Sequence, residues 1–523
     1  MTPRQRWTLV ATIIGSGAVF LDGTVVNAAL PRIGRELPAT LVGVLEGQTY
    51  VISGYLAVLA AFLILAGALS DHYGRRRVYA IGLGGFALTS ALCGLAPTLE
   101  FLVIARLLQG AAGALMVPGA LSIITQTFAE AERGRAFGLW TSATSALSLA
   151  GPLLGGLLVD TIGWRVAFLI NVPILAVAIV ITLRYIAESR DDDPDRRFDW
   201  LGAFVAAVAV GGLSFGVIRG GEHEWQDPIA WASIVIGLTA LIAFPFLMRR
   251  RPDPLVPLGL FRSRTFTTIN LMTFFVYGGL YVMLSYLSIT LQGALGYTAL
   301  AAGVSVLPIG LSLITLSTRI GTVASRTGAR RFLSLGPALM TAGLLWFSRL
   351  PATSPAWRAS PEQLSSLIPP PAFFIDILPA VVLFGLGIAC VVAPLTNTLM
   401  GSIPERFSGL GSAINNAIAR VGQPLLGALI FVAVSGTFYA ALSTLAPDLD
   451  LTSAAVRAGF PPLNPPRVEA TAEQIDAAAR ASIEAFHQAM TVAAGLVAIG
   501  GAVSWVGLRQ AQPRQRSTEA VRT

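Results

Sequence analysis

The chain has 523 residues, of which 54% are hydrophobic and only 12% charged, against about 25% charged in an ordinary soluble domain. A soluble chain of this length would divide into several domains with polar surfaces, so that class is excluded, together with disorder, collagen and small disulfide scaffolds. What remains is an all-α polytopic membrane protein. The net charge of +8 comes from 36 basic and 28 acidic residues, and every basic residue is an arginine. In a soluble protein that balance would suggest nucleic acid. Here it fits arginines on cytoplasmic loops beside anionic lipid, and no nucleic-acid partner is expected. Cys93 and Cys390 lie inside apolar segments and read as free thiols. His72, His223 and His487 match no metal-ligand spacing, so no metal is expected.

Apolar runs of about 20 residues, enough to cross the hydrocarbon core, recur along the whole chain. The first, near 8–29, follows Arg4 and Arg6, contains Asp22 and continues to Pro31. It reads as a retained span and not a cleaved signal. Five more follow near 48–69, 78–96, 101–125, 137–159 and 165–186. Two fall near 200–219 and 229–248. The last six lie near 267–290, 299–319, 332–349, 375–398, 410–438 and 487–508, for a total of fourteen. Thr265–Thr318 lacks any charge for 54 positions, and the turn between its two spans falls at 292–297. With a cytoplasmic N-terminus, 25 of the 36 arginines fall inside, nine fall outside and two, Arg106 and Arg420, lie within spans. That asymmetry places both termini in the cytoplasm of a multi-pass protein of the cell (inner) membrane.

Two outer loops are long. Residues 350–373 contain Ser360-Pro361-Glu362-Gln363, which predicts a helix start with a serine cap. Residues 441–486 are rich in proline, and an alanine-rich helix is expected to begin near Thr471. The inner loop 187–199, with Asp191, Asp192 and Asp193 among arginines, reads as a solvated linker.

The loop from Gly67 through Asp71 and Gly74 to Arg75, Arg76 and Arg77 recurs as Gly321 through Ser325 and Gly328 to Arg330 and Arg331. Pro152-Leu-Leu-Gly155-Gly156 similarly recurs as Pro424-Leu-Leu-Gly427-Ala428. Spans one to six therefore correspond to spans nine to fourteen, with spans seven and eight inserted, a transporter architecture. The expected units are a six-helix bundle over 1–186, a linker with two extra helices over 187–265, a second six-helix bundle over 266–508 and a cytoplasmic tail over 509–523.

These motifs resemble the major facilitator superfamily, and within it the fourteen-span drug:proton antiporters (EmrB/QacA-like multidrug exporters). The resemblance rests on Gly67 to Arg76, on Leu21-Asp22-Gly23-Thr24 through Asn27 to Pro31, and on Arg106-Leu-Leu-Gln109-Gly110. It rests also on Gly151-Pro152 with Gly155-Gly156, and on Trp164-Arg165 with Phe168 to Pro173. Ser325 replaces an acidic residue of the second loop motif and Gln423 replaces a glycine before Pro424, so gating is assigned mainly to the first half. The resemblance implies that the loop at Gly67, Asp71, Gly74, Arg75 and Arg76 latches the inner gate in an outward-open state; alternatively it is a charged turn that sets topology. It associates Gly151, Pro152, Gly155 and Gly156 with export and not import. Physically, proline bends that helix and the glycines let neighbours approach.

An ionisable group within a span is costly and therefore a functional candidate. Asp22 and Arg106 are expected at a common depth, and nearby arginine favours the carboxylate while burial disfavours it. Asp22 is expected to bind the coupling proton with Arg106 tuning it; the rival reading is a static buried pair that locks two helices. Arg420, among Asn415, Asn416 and Gln423, is expected to face the central cavity, or else to pair with a backbone carbonyl or Asp376. Asn27, Gln109, Tyr277 and Tyr281 complete the candidate substrate cavity.

The expected function is proton-coupled export of amphiphilic drugs or toxic small molecules by alternating access. A dedicated exporter of one metabolite or antibiotic is the alternative, and a proton-coupled importer is disfavoured. No lysine exists to complete a nucleotide-binding loop, so no cofactor beyond the proton gradient is expected. Neither a Ser/His/Asp set nor a His-Glu-x-x-His motif is found, which argues against an enzyme. The partners are a hydrophobic or amphiphilic small molecule, protons and the lipid bilayer, and the chain is expected to act as a monomer.

Overall fold

The computed structural model describes residues 1–189, 199–222, 225–252, 254–403 and 408–508. The first bundle comprises α1 (Pro3–Glu36), α2 (Val44–Tyr73), α3 (Arg75–Gly94), α4 (Leu99–Thr127), α5 (Glu130–Thr161), α6 (Trp164–Leu169) and α7 (Asn171–Tyr185). An intervening pair follows, α8 (Trp200–Glu222) and α9 (Pro228–Arg250). The second bundle comprises α10 (Arg264–Gly293), α11 (Ala299–Ser305), α12 (Leu307–Thr327), α13 (Ala329–Phe347), α14 (Phe373–Asp376), α15 (Leu378–Met400), α16 (Ser408–Leu445), α17 (Ala454–Gly459) and α18 (Ala472–Gly507). Among the described residues, eleven helical stretches are long and apolar enough to cross a membrane. The fold is all-helical; its one β feature among these residues is an isolated bridge between Ser360 and Gln363.

The helices form where charge-free runs must satisfy their own backbone groups in lipid. Three stretches expected to be unbroken are divided, at Ile170, Val306 and Ile377. Pro173, Pro308 and Pro379 follow within three residues of these breaks. A proline tolerates a first helical turn but cannot donate to the turn before it, so the helix restarts there.

The helix start expected at Ser360 is overturned. The Ser360 hydroxyl accepts from the Glu362 N–H (3.3 Å), and the Ser366 hydroxyl both accepts from Ser360 N (2.8 Å) and donates to its carbonyl (3.2 Å). These local bonds compete with a helix, and only a short 3-10 turn, Leu364–Leu367, follows. The helix expected near Thr471 is present: Thr471 caps α18, and Gln474 completes a capping box.

The same helix pairs pack in both bundles. α1 packs on α5 as α10 packs on α16, α2 on α4 as α12 on α15, and α3 on α4 as α13 on α15. Likewise α1 and α3 pack on α7 as α10 and α13 pack on α18. The repeat extends to the turns. Gly74 (φ 103°, ψ 127°) separates α2 from α3, and Gly328 (φ 98°, ψ 130°) separates α12 from α13. Both lie where a side chain would be strained. α8 packs on both α2 and α16 and so covers a seam between the bundles, with α9 on its outer side.

Candidate functional site

Asp22 on α1 and Arg106 on α4 form a buried ion pair, with Nη1 to Oδ2 at 2.5 Å. Both residues are 1% exposed. The other carboxylate oxygen, Oδ1, accepts from Gln109 Nε2 (3.1 Å) and Asn171 Nδ2 (3.2 Å). Arg106 also donates to the Val51 carbonyl (3.1 Å) and to Gln109 Oε1 (2.7 Å). The Tyr55 ring lies against its guanidinium, with the centroid 3.9 Å from Cζ. Gln109 and Asn171 further donate to the Ser90 hydroxyl (3.2 and 3.0 Å), which donates to the Phe168 carbonyl (2.9 Å). Helices α1, α2, α3, α4 and α7 thus all contribute to one buried polar knot, whose members are held by charge-assisted bonds.

Gln109, expected at the substrate cavity, is therefore corrected: it is fully buried inside the first bundle, orienting Asp22 and Arg106. Ser90 and Tyr55 are not singled out by the sequence, and Asn171 enters there only within the Phe168 to Pro173 motif, without a role. For Asn171 the signal was available, because a polar side chain within a span needs partners as Asp22 does. No local signal marks Tyr55.

The remaining cavity candidates separate into two groups. Asn415 donates to Asn270 Oδ1 (3.1 Å) and to Thr273 Oγ1 (2.9 Å), so it joins α16 to α10. Asn416 is exposed, and Arg420, one helical turn on, lies 5.7 Å from the Phe20 ring of α1 in the opposite bundle. Tyr277 and Tyr281 are half-buried, also one turn apart. Tyr55 packs its ring on Arg106 from α2. Its hydroxyl is buried with no hydrogen-bond partner among the described residues. Tyr55 is thus buried against the knot. Asp376 accepts from the Ser354 hydroxyl (2.8 Å) at the far end of the second bundle and does not serve Arg420.

The motif around Pro152 packs in two directions. Pro152 has no N–H for the Ser148 carbonyl, and the Thr24 hydroxyl of α1 lies within hydrogen-bond distance of that carbonyl (3.0 Å) as well as of its own Leu21 carbonyl (2.9 Å). A side chain at Gly151 would strike Thr24, and one at Gly155 would reach the Val25 carbonyl at 2.8 Å, so both glycines seat α5 on α1. Gly156 faces the other way, against the Ala299 carbonyl of α11 in the second bundle, and Gly303 returns the contact against the Pro152 carbonyl. The same device recurs at Pro31. The Asn27 carbonyl that it leaves without an N–H accepts from Ser288 of α10 (2.7 Å).

These contacts belong to a band that joins the bundles at the end away from the chain termini. Ser285 donates to Asn27 Oδ1 (2.9 Å), and Gln292 to the Ala28 carbonyl (3.2 Å). Asp160 accepts from Ala299 N (3.2 Å) and Leu300 N (2.7 Å), capping α11. Gln48 and Asn464 exchange two bonds (3.0 and 2.9 Å), and Arg467 donates to the Leu37 carbonyl (2.8 Å). Asn27 thus serves this band, beside a cleft of about 30 Å³ between the bundles, room for about one water.

At the termini end, Glu188 sits over Gly74. It accepts from Arg76 N (3.0 Å) and pairs with the Arg76 and Arg77 guanidinium groups at 3.7 and 3.9 Å. The Arg75 N–H donates to the Ser189 carbonyl (2.9 Å). These bonds tie the loop to the end of α7 within one bundle. The surroundings of Gly67, the Asp71 side chain, the linker residues 190–198, Arg406 and the tail 509–523 lie outside the described residues. Among the described residues, no group of three or more His, Cys, Asp or Glu is placed to hold a metal ion.

The chain is 34% identical over 459 residues to the multidrug resistance protein Stp of Mycobacterium tuberculosis, covering 86% of this chain and 79% of that protein. It is 32% identical to the tetracenomycin C resistance and export protein of Streptomyces glaucescens, covering 82% and 77%. It is also 32% identical to the puromycin resistance protein pur8 of Streptomyces alboniger, covering 84% of each. The fold is that of a solved bacterial homologue of the human lysosomal transporter Spinster (TM-score 0.64, 16% identity, 97% of each chain). It is also that of the POT family transporter PepTSo (TM-score 0.63, 14% identity, 97% and 98%). The Major Facilitator Superfamily model matches residues 12–427, and the chain belongs to that family of small-molecule transporters as a multi-pass membrane protein and not an enzyme.

Proposed function

We propose that the chain is a proton-driven exporter of amphiphilic small molecules, acting as a monomer of fourteen spans with both termini in the cytoplasm. The reading is carried by the buried Asp22–Arg106 pair, in a chain whose relatives are drug and antibiotic resistance transporters. An ionisable group inside a membrane span is costly, so its presence points to a use. When Asp22 takes a proton, Arg106 keeps the Val51 carbonyl, Gln109 Oε1 and the Tyr55 ring, so its charge is not stripped of partners. When Asp22 releases it, three donors receive the carboxylate. Substrate between the bundles meets Tyr277, Tyr281, Asn416 and Arg420 and reaches the knot through Tyr55. Each proton moving down 100 mV supplies about 2.3 kcal/mol. The band at Asn27, Asp160 and Gly156 is the outer gate in its closed form, and the Gly74 turn with Arg75 and Arg76 belongs to the inner one.

The test is proton-dependent dye export in everted vesicles with Asp22→Asn. The expected result is loss of pH-driven export with normal membrane insertion, and full export by the variant would sink the proposal. A dedicated exporter is a second reading, favoured because several relatives are named for one antibiotic each. Resistance to a panel of unrelated compounds decides between the two.

A further inference from the structure

The first turns of α10 and the last turns of α18 enclose a groove of about 550 Å³ that the transport scheme does not use. Its walls are apolar, with Leu271, Val503 and Val506 facing Phe261, and Arg264 stands at the same opening. Leu271 is 45% and Val506 70% exposed, so the groove opens outward from the bundle. Arg264 Nη2 donates to the Val506 carbonyl (2.7 Å), and Arg330 Nε to the Trp505 carbonyl (2.8 Å).

The first bundle shows what a filled version looks like. There Arg4 Nε donates to the Tyr185 carbonyl (3.0 Å), as Arg264 does to Val506. Aligning the two arginines pairs Trp7 with Thr267, and aligning the two carbonyls pairs Tyr185 with Val506. In the first bundle Trp7 stacks on Tyr185, with centroids 5.6 Å apart. In the second, a threonine and a valine stand where those two rings would be, and the space is open. The opening has the exposed, cationic Arg264 above apolar walls. That pairing of a charge with hydrocarbon matches a phosphate headgroup and its acyl chain, and a free anion would make no use of the walls.

We infer that this groove binds one phospholipid, preferring an anionic headgroup, in the leaflet on the side of the chain termini. The proposal is independent of proton coupling. The full-length chain is placed in bilayers of phosphatidylethanolamine and phosphatidylglycerol, extracted in detergent and weighed by native mass spectrometry. Wild type is expected to retain one phosphatidylglycerol that Thr267→Trp loses, because the indole refills the space. Arg264→Gln is expected to lower that occupancy several-fold and to erase the headgroup preference, while Arg4→Gln leaves both unchanged. Equal phosphatidylglycerol retention by wild type, Thr267→Trp and Arg264→Gln overturns the proposal. So does an equal loss in Arg4→Gln, or displacement of the lipid by inorganic phosphate, which marks a free-ion site. Melting temperatures of the variants separate lost lipid from lost fold, and Arg264→Gln keeps the test available if the tryptophan does not fit.

Discussion

Arg106 and Asp22 are not equivalent under mutation. Removing the guanidinium leaves a buried carboxylate facing only the amides of Gln109 and Asn171. Breaking a buried pair in this way costs about 3–5 kcal/mol, so Arg106→Gln is expected to lower the melting temperature of the purified protein substantially. Asp22→Asn leaves Arg106 with a carbonyl, an amide oxygen and an aromatic face, so its melting is expected to fall less. The reverse order of melting temperatures refutes this account of the knot. Tyr55→Phe keeps the ring on Arg106 and deletes a hydroxyl that has no partner among the described residues. Its melting is expected to be unchanged while the pH dependence of export shifts; an unaltered pH profile removes Tyr55 from the coupling path. Asp22 and Arg106 were legible as candidates because ionisable groups in spans are rare. Gln109 was misplaced because its one-letter context says nothing about which way α4 is rotated.

At the scale of helices, two prolines each free a carbonyl, and a hydroxyl of another helix lies within hydrogen-bond distance of each. Thr24 reaches Ser148 within one bundle, and Ser288 serves Asn27 across two. Ser288→Ala is expected to weaken the closed outer end by about 0.6 kcal/mol, a typical intramembrane hydrogen bond. That shifts the open fraction roughly threefold, which spin-label distances between the bundles would read; no change would remove the bond from the gate. The glycines divide in the same way. Gly155→Leu strikes Val25 in its own bundle and is expected to impair folding, whereas Gly156→Leu strikes α11 and is expected to fold but fail to close. Equal melting losses in the two variants would refute that division.

The whole molecule is two bundles with matching internal packing, joined among the described residues by the band at Asn27, Gln48, Asp160 and Gly156 and flanked by α8 on the seam. If both termini are cytoplasmic, Ser453→Cys, in the loop before α17 of a chain with Cys93 and Cys390 replaced by alanine, is accessible to an impermeant reagent from outside intact cells. A cysteine at Ser517, in the tail, is not. The opposite labelling pattern overturns the orientation drawn from the arginines.

Charge-free runs, loop arginines and turn glycines act over short stretches of chain, so the helical class, the approximate helix limits and the duplicated halves are written in the sequence itself. Gly74 and Gly328 show this well, since each shape follows from a local backbone demand. The partners of Asp22, the spending of Asn415 on α10 and the opposed faces of Gly155 and Gly156 were decided only by the tertiary structure. Within a bilayer a helix can be apolar on every side, so the pattern of residues does not announce which face turns inward. Only packing against neighbours far away in the chain sets that rotation, and with it the chemistry that the buried side chains meet.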